Sequence, residues 1–340
     1  MKKSSQVIFG VLVSVMTVFF ACAAGFAAPQ DLKIGSNKVG STWYVQAACI
    51  ADAVKKAYPG MEIDAAPIAG GIGNLKLLGK GQMNIALTMG NNNLWAWNGQ
   101  VLFDKPIRNI RTLVGGLDQF YVGIAVRRGS GIKSLEDIVK NKQKIRLMTV
   151  QRGTTGEASA AHVLEAVGMT YDDIKKWGGA VDHTDFEAIT NAIKDGRCDV
   201  FIQALSKGHP TFTELAVLGK IDLITISKDS LKKLEKYGYT QSLLPKDSFK
   251  GQTAALILPG YRSTLTVTDK MDDETAYKIT KAVVEGKDAL VKGHKAFAEF
   301  EPSKGGSPEN LGGVPLHPGA AKYYKEKGYI KVYVNVSDPN

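Results

Sequence analysis

The sequence predicts an α/β protein of two lobes joined by a two-strand hinge. A layout of strand, glycine-hydroxyl loop and helix occurs near residue 35 and again near residue 150. Two β-rich segments, Tyr121–Val126 and Ala254–Leu258 with its sequel Thr264–Val267, suit crossings between lobes. The chain has 340 residues, 44% hydrophobic and 22% charged, which gives enough apolar surface for two ordinary domains. The same balance excludes a disordered chain, a coiled coil and a multi-span membrane protein.

The N-terminus reads as a leader. Lys2 and Lys3 precede an apolar, small-residue stretch from Val7 to about Ala24, and Gly25 and Ala27 are small where a signal peptidase needs them. Residues 1–27 are expected to be removed, so that Pro29 and Asp31 lie at the start of an exported, periplasmic chain. A retained anchor is the alternative, on a stretch only just long enough to span. Cys22 follows Phe19-Phe20-Ala21, a poor lipoprotein box. Cys49 and Cys198 are too few for a disulfide scaffold and are expected as free thiols in different lobes.

The first lobe is expected over 28–122 and 256–340, the second over 123–255. In the first, Leu32-Lys33-Ile34 forms a strand and Gly35 to Gly40 a loop. A helix follows from about Ser41 to Ala57, with Ala47, Ile50, Ala51, Val54 and Tyr58 on one stripe. Pro59-Gly60 stops it. A strand from Met61 to Ala66 precedes Gly70-Gly71-Ile72-Gly73 and a short helix through Leu75 and Leu78, and Ile85–Thr88 is a third strand. The second lobe repeats the plan with a strand at Ile145–Val150, the loop Gln151–Gly156 and a helix carrying Ala160, Val163, Leu164 and Val167. His162 falls off that stripe and is expected at the surface. A helix with Ala188, Ile189, Ala192 and Ile193 and the strand Val200–Ile202 follow. From Asp272 one long helix is expected to about Lys292, then a Gly/Pro-rich stretch returning to the first lobe.

No enzyme motif survives inspection. There is no Gly-x-Ser-x-Gly elbow, the glycines at 70, 71 and 73 do not complete a dinucleotide fingerprint, and the five histidines are scattered without metal-ligand spacing. The expectation is therefore no catalysis, no cofactor and no metal. The net charge of +10 is dispersed in pairs such as Lys55-Lys56, which argues against nucleic acid and leaves a mild preference for small anions. What recurs is hydroxyls at helix N-termini, Ser41-Thr42 and Thr154-Thr155, each behind a glycine (Gly40 and Gly153). Free N–H groups there receive a carboxylate, although simple N-caps explain the same residues. Trp43, Tyr44, Gly71, Asn91, Arg152, Gln203 and His209 complete the candidate ligand-binding set. Asn91 and Gln203 stand just beyond strand carboxyl ends, where open α/β sheets bind ligands.

Taken in order, several motifs resemble the TAXI family of TRAP transporter solute receptors. They are Gly40-Ser41-Thr42-Trp43-Tyr44, Gly70-Gly71 with Asn74-Leu75, Gly153-Thr154-Thr155-Gly156-Glu157, Thr170-Tyr171-Asp172-Asp173-Ile174 and Val314-Pro315-Leu316-His317-Pro318-Gly319. The resemblance covers nearly the whole chain after the leader. It implies a type II-like periplasmic binding protein, working as a monomer, that closes on a glutamate-like amino acid or a dicarboxylate. It would deliver this small acidic solute to a TRAP-type, ion-gradient-driven permease. It also implies ligand roles for Thr42, Tyr44 and Thr154, with Glu157 either at the ligand or capping with Thr154. Ile72, the Gly-Thr-Thr-Gly-Glu loop and His209 depart from the family's usual residues. A periplasmic sensor feeding a membrane signalling protein is the alternative on the same fold.

Overall fold

The computed structural model describes residues 31–68 and 70–330; the expected leader and Cys22 lie outside them. The first lobe opens with β1 (Leu32–Gly35), α1 (Thr42–Ala57), β2 (Ile63–Ala66), α2 (Gly70–Gly79), β3 (Ile85–Met89), α3 (Gly90–Asn98) and β4 (Ile110–Val114). β5 (Gln119–Arg127) crosses into the second lobe, followed by α4 (Leu135–Asn141), β6 (Arg146–Thr149), α5 (Thr155–Val167) and α6 (Tyr171–Lys176). Then come β7 (Ala180–His183), α7 (Phe186–Lys194), β8 (Val200–Leu205), α8 (Pro210–Val217), β9 (Ile221–Ile224), α9 (Lys228–Leu234) and β10 (Thr240–Leu244). The long β11 (Leu256–Thr268) returns, and α10 (Asp273–Glu285), α11 (Lys287–Gly293) and α12 (Pro318–Glu326) cover the first sheet.

The duplication read from the sequence is a duplication of topology. Parallel strands run β2-β1-β3 in one sheet and β7-β6-β8 in the other, with the earliest strand in the middle each time. An antiparallel crossing strand follows in both, β11 beside β3 and β5 beside β8. β11 pairs with β10 over Leu256–Gly260 and with β3 over Ser263–Val267, so it serves both sheets. By these pairings the chain changes sheet at 115–118 and near 261–263. The boundaries expected at 122/123 and 255/256 fall inside β5 and at the start of β11.

Local sequence accounts for the main elements. Ser41 is extended (φ −76°, ψ 155°) and its hydroxyl accepts from the Tyr44 N–H at 3.2 Å, which starts α1. Ala47, Ile50, Ala51 and Val54 are then buried, while Lys55 and Lys56 in the last turn suit the negative end of the dipole. Asn74 of α2 is fully buried and donates toward the carbonyls of Gly35, Ser36 and Leu87, tying β1 to β3. The long helix expected after Asp272 is two helices, broken at Gly286. A Cβ there would stand 2.5 Å from the Ala282 carbonyl oxygen and 3.5 Å from Ala53 Cβ on α1.

The lobes share an apolar joint. Trp95 of α3 is fully buried and its Nε1 donates to the Tyr237 carbonyl at 2.9 Å. His162 of α5 packs edge-on to Trp95 at 5.3 Å, stacks on Tyr237 at 3.7 Å and hydrogen-bonds the Tyr239 hydroxyl at 3.2 Å. His162 is therefore an interior residue rather than the surface one expected, because a second chain segment covers its side of the helix. Burial lowers its pKa to about 4. At the crossing itself Asp118 is 3% exposed and accepts from the Ser263 hydroxyl, the Ser263 N–H at 3.3 Å and Gln46 Nε2 at 3.0 Å. Burial pushes its carboxyl up, against those hydrogen bonds.

Candidate functional site

The first turns of α1, α2 and α3 meet the first turn of α5 in front of the hinge. Trp43, a candidate ligand-binding residue, is only 5% exposed and packs edge-on to Phe120 of β5 at 6.3 Å. A Cβ on Gly71 would lie 3.5 Å from the Trp43 ring and 2.8 Å from Asn92 Nδ2, so the absent side chain leaves room for both groups. Asn92 is fully buried, and its Nδ2 donates to Thr155 Oγ1 at 2.9 Å, a bond from one lobe to the other.

The facing wall comes from the loop after β6. Gly153 takes φ +79°, a conformation that favours glycine, and Thr154 then caps α5 by accepting from the Glu157 N–H at 3.3 Å. This leaves Thr155 to face Asn92. Gly156 lies against Gln203 of β8 so closely that a Cβ would fall 1.7 Å from Gln203 Oε1. Beside it Glu157 Oε1 is 3.4 Å from His183 Nε2 and 4.0 Å from an Arg152 nitrogen. Tyr171 donates its hydroxyl to the Glu157 carbonyl at 3.2 Å and meets the His183 ring edge-on.

Four buried polar atoms in this group have no hydrogen-bond partner among the described residues: Trp43 Nε1, Asn92 Oδ1, Gln203 Oε1 and His183 Nε2. Buried polar atoms are normally paired, and each unpaired one costs on the order of 1–3 kcal/mol, so a bound group that pairs them returns that energy. The two walls differ in charge. α1, α2 and α3 carry no acidic residue in their first turns, whereas α5 carries Glu157. The positive ends of the first lobe's helix dipoles are thus uncompensated by side chains, which suits an anion.

Contacts through Asn92 and Gly156 bring Trp43, Gly71, Thr155 and Gln203 together; Arg152, Gly153 and Thr154 belong to the same loop. Ser41 is spent on its cap, Thr42 is exposed at the first helical position and Tyr44 is half-buried. Asn91 is fully buried with its Oδ1 accepting from the Asn92 N–H, and its backbone lies beside Gly238. His209 precedes α8 between Phe186 and Phe212, at 5.0 and 5.4 Å, and burial lowers its pKa to about 4. Asn91 thus touches the Trp43–Gln203 group through the Asn92 backbone, whereas the ring neighbours of His209 are Phe186 and Phe212, outside that group. Sequence reasoning passed over Asn92, His183 and Phe120. The run Asn91-Asn92-Asn93 directly after a strand was the available signal, since three adjacent amides are costly to bury without a purpose.

Comparison with known proteins agrees with this architecture. A TctC solute binding protein from Polaromonas is 16% identical, with 88% of this chain and 97% of that one covered and a TM-score of 0.52. MatC from Rhodopseudomonas palustris, solved with bound malate, is 12% identical over 87% of this chain and 96% of its own, with a TM-score of 0.51. At these identities the likeness is one of fold, the two-lobed α/β fold of solute-binding proteins. The model of the NMT1-like family matches residues 34–328, and with nearly all of the described chain inside that match, the protein belongs to the NMT1-like family.

Proposed function

We propose that the chain is an exported solute receptor of the TAXI type, which captures a small acidic solute between its lobes and delivers it to a TRAP-type permease. The carrying observation is the inter-lobe group in which Trp43 Nε1, Asn92 Oδ1 and Gln203 Oε1 are buried and unpaired beside Thr155. One carboxylate of a glutamate-like amino acid or dicarboxylate would accept from the indole N–H and the free amides of α1 and α2. The ammonium of a glutamate-like solute would donate to Asn92 Oδ1 and Gln203 Oε1, and its far carboxylate would engage the loop at 152–155. Because the donors and acceptors come from both lobes, such a solute binds the closed arrangement best and shifts the population toward it. Capture needs no chemistry, in keeping with a sequence that offers no catalytic constellation. Export rests on the leader at residues 1–27, and a monomer suffices because one chain supplies both walls.

The test is a thermal-shift panel on protein unfolded and refolded to strip carried solute. Glutamate, 2-oxoglutarate, C4 and C5 dicarboxylates, hydroxy acids and neutral amino acids form the panel. A true ligand at a hundredfold excess over its dissociation constant adds roughly 2.7 kcal/mol of stability. An acidic solute is expected to shift the native chain and not Trp43→Phe or Thr155→Ala. A shift that survives in both variants moves the site elsewhere, and a response confined to neutral solutes removes the acidic assignment.

A further inference from the structure

The two-strand hinge has a reverse face. Side chains alternate along a strand, so Phe120 points to one side of β5 and Gln119 and Tyr121 to the other. In register, Arg262 of β11 pairs with Gln119 and Tyr261 with Phe120. Phe120 and Tyr261 stack at 5.9 Å on the side of Trp43. Gln119, Tyr121 and Arg262 line a crevice of about 400 Å³ together with Ser242 of β10 and Glu299 and Glu309 of the first lobe. Gly260 makes its floor possible: a Cβ there would stand 2.2 Å from Ser242 Oγ and 2.8 Å from Gln119 Nε2.

The crevice belongs to both lobes and to the hinge between them. Glu299 of its lining forms an ion pair with Lys207, just beyond β8. Lys304 is held by Glu301 at 2.7 Å. Among the described residues Arg262 and Glu309 form no ion pair, although Arg262 is half-buried and lies near enough to Glu301 to add to the field that Lys304 exerts on it. Arg262 and Glu309 therefore both border the same space without an ion pair, alongside Gln119, Tyr121 and Ser242, whose polar groups are already engaged: Gln119 Nε2 donates to Ser242 Oγ at 3.2 Å and the Tyr121 hydroxyl to the Leu243 carbonyl at 3.1 Å.

We infer that this crevice is a second binding site, for a small zwitterion, formed between the lobes on the reverse face of the hinge. The zwitterion's carboxylate pairs with Arg262 and its ammonium with Glu309. A lone anion would meet Glu299, Glu301 and Glu309, and a lone cation would meet Arg262 and Lys304, so neither single charge is complementary.

Titration of 15N-labelled protein with glycine, β-alanine and γ-aminobutyrate tests it, with acetate and ethylammonium as single-charge probes. The backbone amides of Gln119, Ser242 and Arg262 are expected to shift saturably with at least one zwitterion and with neither single-charge probe. Arg262→Gln and Glu309→Gln should each weaken that binding about tenfold or more, a loss of about 1.4 kcal/mol. Asn92→Ala, in the front cleft, should leave the shifts in place. Glu309 is exposed, so its variant reports even where Arg262→Gln disturbs the hinge. Silence with all three zwitterions, equal shifts with acetate, unchanged titrations in the crevice variants, or loss of the shifts in Asn92→Ala would each overturn the assignment.

Discussion

On the α3–α9 side the lobes meet through packed rings: Trp95 donates across to the Tyr237 carbonyl, His162 bonds Tyr239 and Tyr239 bonds Ser159 at 2.9 Å within the second lobe, and the adjoining Tyr261 hydroxyl is left unpaired among the described residues. On the α1–α5 side they meet through an amide–hydroxyl bond, Asn92 to Thr155, with Trp43 Nε1, Asn92 Oδ1, Gln203 Oε1 and His183 Nε2 unpaired around it. The first contact rests on the burial of large apolar rings, the second on a single hydrogen bond beside unmet polar atoms, so the two differ in what would strengthen them.

The largest effect that would break this contrast is at Trp95. Trp95→Ala empties the centre of the joint and is expected to cost about 3–5 kcal/mol in urea unfolding. A loss under about 1 kcal/mol would mean that the joint does not hold the lobes.

Acid should act on the same contact next. The folded-state pKa of His162 is lowered to about 4 by burial, below the ordinary value near 6.5. The unfolded chain therefore takes up the proton first as pH falls, and stability present above about pH 6.5 declines toward pH 4. The expected decline from His162 is on the order of 1–3 kcal/mol. His209 adds a similar term from its own burial. A His162→Gln variant should show a visibly flatter stability profile over that window, and an identical profile would remove His162 from the account.

The smallest change is expected at the Asn92–Thr155 contact. Asn92→Ala should cost about 1 kcal/mol of stability, one hydrogen bond's worth, yet lower solute affinity about tenfold or more by calorimetry. A variant that loses stability without losing affinity would make both contacts structural and erase the distinction.

Much of this architecture could be read from the chain before any coordinates. The α1 stripe, the glycine that opens each loop and the repeated strand–loop–helix order are local patterns, and local patterns survive into the fold. The site was only half visible. Gly153-Thr154-Thr155 announces a helix start, but that Thr155 rather than Thr154 faces the other lobe depends on Thr154 being used as the cap. Glu157 and His183 lie in different elements and meet only because β6 and β7 are adjacent parallel strands. His162 was misjudged for the same reason: one helix's stripe says nothing about a second segment that covers its other side.

The thirteen-residue β11 has a consequence for how the chain reaches this state. The hydroxyls of Thr88 and Thr264, on β3 and β11, bond across a separation of 176 residues. The second lobe's strands all lie between the two crossings, whereas the first lobe's sheet needs both the beginning of the chain and its last third. The second lobe can therefore complete itself while the first still waits for its partner strand, and closing so long a loop is the slow step. The first lobe's unpaired β3 edge and the apolar faces of α1 and α2 thus stay exposed until the second lobe has formed and carried β11 back to them.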